Sequence, residues 1–241
     1  TQLLVRLGDT PSAVEMFRGN IVVHANEVTR TNTEELIALE SQWLIDAIHE
    51  DGRMTYLLWP EQGREAMPTG PGSRNNMIRQ WMATIASIRV AEAREDPRLF
   101  ELAERNIDYN LAHYYRKEGE LGLIDCRGRI KLGALALATY ALVHHPKRTK
   151  WAEQEAAMRR TIDLLWHEDG SMDSFYGEPD GTRDFPNFYP GEALFLWAAL
   201  YERERDPELL RRFMASFEYY RTWHLDPANR NPAFVPWHTQ A

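Results

Sequence analysis

Apolar residues recur along this chain at two kinds of helical spacing. In the stretches near 34–49, 97–114, 150–166 and 207–222 they mark one stripe, as Leu36, Leu39, Trp43 and Ala47 do in the first. Such stretches predict amphipathic helices with one face on a core. Near 77–92, 130–143 and 190–203 the apolar residues cover most of the circumference. A helix apolar all round must be surrounded by protein, so these are predicted as inner helices and the first set as outer ones. The two kinds alternate. Short turns such as Glu95-Asp96-Pro97, His144-His145-Pro146 and Asp206-Pro207 lead from inner to outer. Long Gly- and Pro-bearing loops lead from outer to inner, which predicts that all the long loops share one face. Asn32 with Glu35 reads as a capping box for the first helix. Thr1–Thr31 reads as irregular, with Leu3–Leu7 and Ile21–Val23 as short extended pieces.

Inner helices are predicted to begin near residues 76, 130, 190 and 237, a helical-hairpin repeat of roughly 50–60 residues. A local duplication supports it: His49-Glu50-Asp51-Gly52-Arg53-Met54 returns as His167-Glu168-Asp169-Gly170-Ser171-Met172. These are similar helix ends with Asp-Gly turns, and also equivalent loops on one rim. The predicted fold is therefore all-α, an (α/α) toroid of inner and outer helices. An irregular segment over 1–31 precedes a single toroid domain over 32–241. About three and a half hairpins are present where six are usual, so the ring is expected to be completed by chain beyond Ala241 or by self-association.

Several segments resemble the six-hairpin glycosidase-like toroids, in particular D-glucuronyl C5-epimerase-like and unsaturated glucuronyl hydrolase-like domains. They are Asp51-Gly52-Arg53 with Tyr56, Asn75-Asn76-Met77-Ile78-Arg79-Gln80, Glu95-Asp96-Pro97-Arg98-Leu99 and Tyr189-Pro190-Gly191-Glu192-Ala193-Leu194. The resemblance spans Asn32 to Ala241. It implies a carbohydrate-active protein working on a glycan or uronic-acid-containing saccharide, by epimerase, lyase or glycoside hydrolase chemistry in the toroid mouth. The architecture hosts many reactions. Epimerase-like proteins tend to carry Leu-Arg-His where this chain has Ile78-Arg79-Gln80.

Among the 241 residues, 28 Lys and Arg face 36 Asp and Glu, a net charge of −8. That balance argues against a general nucleic-acid partner. No apolar run approaches the roughly 18 residues of a membrane span. The chain starts at Thr1 with no visible signal peptide, which constrains localisation weakly, on the cytoplasmic side. The expected partner is a saccharide.

The candidate catalytic residues are Asp173, Asp184, Tyr189, Glu192 and His238. Asp173 and Asp184 are not explained as turn residues, whereas Asp51 and Asp169 precede glycines. Glu192 falls in a first helical turn, where the dipole alone favours a carboxylate. A hydrolase needs two carboxyls across the scissile bond. Epimerisation or elimination needs a base beside a carboxylate and a cation to steady the charge. Tyr56, Tyr176, Tyr189 and His238 are candidates for the base or acid, and Arg79 for the cation. Candidate substrate-binding residues are Tyr56, Trp59, Asn76, Arg79, Arg129, Tyr176 and Trp237. The aromatics offer sugar platforms, or else loop packing. Arg129 belongs to the only local basic cluster on the predicted mouth, with Arg127 and Lys131.

No metal-ligand spacing, phosphate loop or nucleophile elbow is present, and no cofactor is expected. Cys126 reads as an incidental or structural thiol. Two other classes remain: a noncatalytic glycan-binding or assembly module of a larger protein, and an α-solenoid scaffold for a protein partner.

Overall fold

The computed structural model describes residues 3–5, 14–16, 28–67, 73–177 and 185–241. The chain divides into two compact units, Thr1–Trp43 and Leu44–Ala241. In the first, strand β1 (Leu3–Val5) pairs antiparallel with β2 (Val14–Met16), Leu3 opposite Met16. The extended piece expected at Ile21–Val23 lies outside the described residues. Helix α1 spans Arg30–Ala47. Asn32 does not cap it. Thr29 sits one residue before the helix, and its hydroxyl accepts the Asn32 N–H at 3.2 Å. The cap therefore falls three residues earlier than the Asn32/Glu35 pattern suggests, because Thr29 supplies the same acceptor at the true entry point.

The second unit is an arc of helical hairpins: α2 (Met77–Arg94) with α3 (Pro97–Tyr114), α4 (Leu132–His144) with α5 (Ala152–Leu164), and α6 (Tyr189–Glu204) with α7 (Pro207–Leu225), then the short α8 (Val235–Gln240). The even-numbered helices are the inner ones. α4 packs between α2 and α6, and α6 packs against α8. Every residue from Leu132 to Val143 is buried, which explains the unbroken apolar run of α4. The outer helices bury one stripe: in α3 it is Leu99, Ala103, Ile107 and Leu111, one helical turn apart. No helix among the described residues is long and apolar enough to cross a membrane.

Two of the three hairpin turns use the same device. Glu95 and Arg205 each take the left-handed conformation, at φ +52° and +54°, and return their N–H groups to the last turn of the inner helix. The next residue, Asp96 or Asp206, caps the outer helix by accepting the N–H two residues on, each at 2.9 Å. Pro97 and Pro207 then occupy the first helical position, where a missing N–H costs nothing.

The loops that enter the inner helices are built more variably. The duplicated Asp-Gly segment makes the same turn twice. His49 N–H meets Arg53 C=O at 2.8 Å, and His167 N–H meets Ser171 C=O at 2.9 Å. Asp51 and Asp169 each accept the N–H two residues on, at 2.9 Å. Gly52 and Gly170 adopt φ of +86° and +90°, each against a backbone carbonyl of an outer helix, that of Arg105 or Ala215. A Cβ fits neither position. Gly52→Ala and Gly170→Ala are each expected to lower stability by more than about 1 kcal/mol, read as a shift in the urea midpoint. An unchanged midpoint would contradict the stated geometry.

The segment between α3 and α4, expected as a loop, is instead a three-stranded antiparallel sheet of β5 (Tyr115–Glu118), β6 (Leu121–Cys126) and β7 (Arg129–Ile130). Its glycines are turn and contact residues. Gly119 turns β5 into β6, and Arg127-Gly128, both at positive φ, make the two-residue hairpin turn into β7. Gly122 lies against the backbone of α5 at Met158. This sheet carries Arg127, Arg129 and Lys131 to the entry of α4. A short two-stranded ribbon, β3 (Leu58–Trp59) with β4 (Arg64–Glu65), stands in the loop before α2.

Candidate active site

The N-terminal ends of α2, α6 and α8 surround a cleft of about 500 Å³. Asn76 caps α2 by accepting the Ile78 N–H at 3.1 Å. Its neighbour Asn75 is fixed by the Tyr114 hydroxyl at 2.6 Å and by Gln80 at 3.0 Å. One turn into α2, Arg79 extends into the cleft and is exposed. Ile78 and Met82 supply apolar wall. Tyr189 opens α6 and Glu192 follows in its first turn. Trp237 on α8, with Phe185 and Phe188 from the loop before α6, completes the lining.

Glu192 is 2% exposed, and its Oε2 has no hydrogen-bond partner. Burial pushes its pKa up to about 8, against the opposing pull of the Lys131 and Arg79 charges. The positive end of α6 also pulls downward, but loss of water dominates for a carboxyl this deep. Gly133 in the first turn of α4 makes the burial feasible. A methyl group there would overlap the Glu192 carboxyl and press on the Tyr189 ring. Gly191 allows α8 to pack closely on α6, since a side chain there would meet Trp237 and the His238 ring. Tyr189 is buried, stacks on Phe185 at 5.3 Å, and has its phenol pushed up to about 12 by burial and by Glu192. It holds its proton at neutral pH.

Asn76, Arg79, Tyr189, Glu192 and Trp237 thus lie around one cleft. The other sequence candidates lie elsewhere. Asp173 follows the second Asp-Gly turn, is exposed, and faces His167 Nε2 at 3.2 Å. Asp184 lies outside the described residues. His238 turns toward α7, among Phe217, Tyr220 and His224, with Nδ1 against the Phe234 carbonyl at 3.2 Å. Tyr56 is half-buried and does not line the cleft. Trp59 lies in β3 under the Arg64 guanidinium, 4.4 Å from the ring centroid. The Tyr176 hydroxyl donates to Glu118 at 2.8 Å. The Arg129 guanidinium stands 4.7 Å over Phe175 and lines a second, smaller cleft with Asn75, Asn76, Arg127 and Lys131. Gly133 shapes the site and is not among the residues proposed from sequence. Its signal was an isolated glycine in an apolar helix, which marks a close approach.

No protein-family model and no curated protein matches the chain. Among solved structures it is similar to a GH76 α-mannanase from Bacteroides thetaiotaomicron, with a TM-score of 0.61 and 11% identity. The similarity covers 85% of this chain, and the chain spans 56% of the mannanase chain. That enzyme is an (α/α)6 toroid glycosidase, and the likeness assigns this chain the all-α toroid fold.

Proposed function

We propose that the cleft binds a saccharide and that Glu192 donates a proton to a glycosidic oxygen. The observation that carries this reading is the buried carboxyl of Glu192, unpartnered at Oε2, in the lining of an aromatic-walled cleft; burial raises its pKa. A carboxylic acid that keeps its proton near neutral pH is what the general-acid step of glycoside cleavage requires. As the C–O bond breaks, its electron pair goes to the leaving oxygen, which takes the Glu192 proton; water adds its oxygen at the anomeric carbon and releases a proton to solvent, from which Glu192 is reprotonated. Among the described residues Glu192 is the only carboxyl in the cleft lining. The α-mannanase likeness supports the same reading through the fold.

Arg79 favours a second reading, epimerisation or elimination on a uronate. Its guanidinium suits a sugar carboxylate, and Glu192 would act as base once ionised. Tyr189, held near 12, serves there only as an acid. Mass spectrometry of an oligosaccharide panel separates these readings. Hydrolysis in ¹⁸O-water labels one product end. Elimination leaves a product one water lighter than the hydrolysis product. Epimerisation in heavy water leaves deuterium on an intact chain. Binding without turnover across the panel would leave the noncatalytic module. In each case Trp237→Ala is expected to weaken saccharide binding about tenfold by calorimetry, through loss of a stacking face. Undiminished affinity would remove Trp237 from the binding surface.

A further inference from the structure

The smaller cleft, about 170 Å³, adjoins the main one through Asn76, which lines both. Two cations on its rim, Arg127 and Lys131, have no carboxylate within 4 Å among the described residues. Arg127 is held at φ +62° by the hairpin turn, and its guanidinium donates to the carbonyl and hydroxyl of Ser73, both neutral acceptors. The nearest acid in sequence, Asp125, is occupied by the Arg116 guanidinium at 3.0 Å and the Gly128 N–H at 2.8 Å. Lys131 is half-buried at the entry of α4 and makes no side-chain cap; the Leu132 N–H there donates to the Ser174 carbonyl at 3.0 Å. Burial and the nearby Arg129 charge both disfavour its ammonium, with Cys126 and Glu192 pulling the other way. Burial pushes the pKa of Glu192, the acid that faces it from α6, up to about 8, so that carboxyl is a weak counter-charge.

We propose that this second cleft is an anion subsite that takes a phosphoryl group carried by the sugar in the main cleft. The sugar half of that statement rests on the saccharide reading above, and the anion half does not. Arg127 and Lys131 bring two positive charges to one small cavity, which matches a phosphate monoester dianion better than a single carboxylate. The Leu132 N–H at the α4 entry is already taken by the Ser174 carbonyl, so the two side chains carry the recognition. Arg79 in the main cleft adds a cation on the sugar side of Asn76.

Chemical-shift titration of the whole chain at low ionic strength tests this with four probes: glucose 6-phosphate, glucuronate, glucose and inorganic phosphate. Glucose 6-phosphate is expected to bind at least tenfold more tightly than glucose, and more tightly than glucuronate, with shifts at Asn76, Gly128 and Gly133. Lys131→Met and Arg127→Asn should each erase that advantage and leave glucose affinity unchanged, while Lys131→Arg keeps it. Glucuronate binding as tightly as the phosphate ester overturns the phosphoryl assignment. A phosphate advantage that survives both charge removals overturns the site. Inorganic phosphate that binds here, with no gain from the attached sugar, supports the anion subsite and counts against the saccharide reading. Glucose bound in the main cleft with no response to any anion does the reverse.

Discussion

Glu192→Gln is expected to lower kcat by about 10²–10⁴-fold on any glycoside the protein cleaves, the range for loss of one general acid. The amide keeps the shape and removes the proton. The pH dependence carries the same signature. Because Glu192 titrates at about 8, wild-type activity should hold on the acid side of that value and fall above it. In the variant that basic limb should vanish from the residual rate. The stability effect has the opposite sign. The folded pKa is raised above the unfolded value of about 4.3. The native state therefore holds a proton that the unfolded chain releases, and stability is lost as pH rises from that value through about 8. Wild type and Glu192→Gln should be about equally stable at pH 4. The variant should be the more stable at pH 8, by an amount that grows at up to about 1.4 kcal/mol per pH unit between the two pKa values. Denaturant titrations of both proteins at the two pH values read this directly. Equal stabilities at pH 8 would mean that the carboxyl is not held neutral.

The second large effect belongs to the core. Trp81 in α2 is fully buried, in the cluster that joins α2, α4 and α6. Trp81→Ala is expected to cost about 3–5 kcal/mol, the sum of lost transfer energy and the cavity left behind. Its indole N–H has no partner, so no hydrogen bond is lost with the ring. Trp81→Phe should therefore cost less than about 1.5 kcal/mol. If the two variants were equally damaging, an unseen polar contact of the indole rather than its volume would matter. If alanine were harmless, α2 would not be an inner helix.

The alternation of helices was legible because burial writes itself into composition. α4 could be read as inner since nothing polar except Thr139 interrupts Leu132–Val143, and Thr139 spends its hydroxyl on the Leu135 carbonyl. The hairpin turns were legible as well, because Asp-Pro after a helix end has few other uses. The sheet of β5, β6 and β7 was not. Its strands are short, Gly122 sits inside one of them, and its pairing depends on the α5 surface behind it rather than on local alternation. In the site, Asn76, Arg79, Tyr189, Glu192 and Trp237 could be proposed together because each falls at the start of an inner helix, and helix starts share one rim. Asp173 shows the limit of that logic. It also follows a rim turn, yet its carboxylate faces His167, a choice set by side-chain direction that spacing does not encode. The depth of Glu192 was likewise hidden, since it depends on Gly133, 59 residues earlier in the chain and visible only once α4 and α6 cross.

The most direct test of the site is the titration of the Glu192 carboxyl itself. Carbon-13 NMR of side-chain-labelled protein, with Glu192→Gln to assign the resonance, follows that group from pH 4 to 10 without any substrate. The expected midpoint is about 8, with a carboxyl still protonated at neutral pH. A midpoint near 4.5, the ordinary value for a glutamate, would show an ionised carboxylate in the cleft and would remove the proton donor on which the proposed chemistry depends.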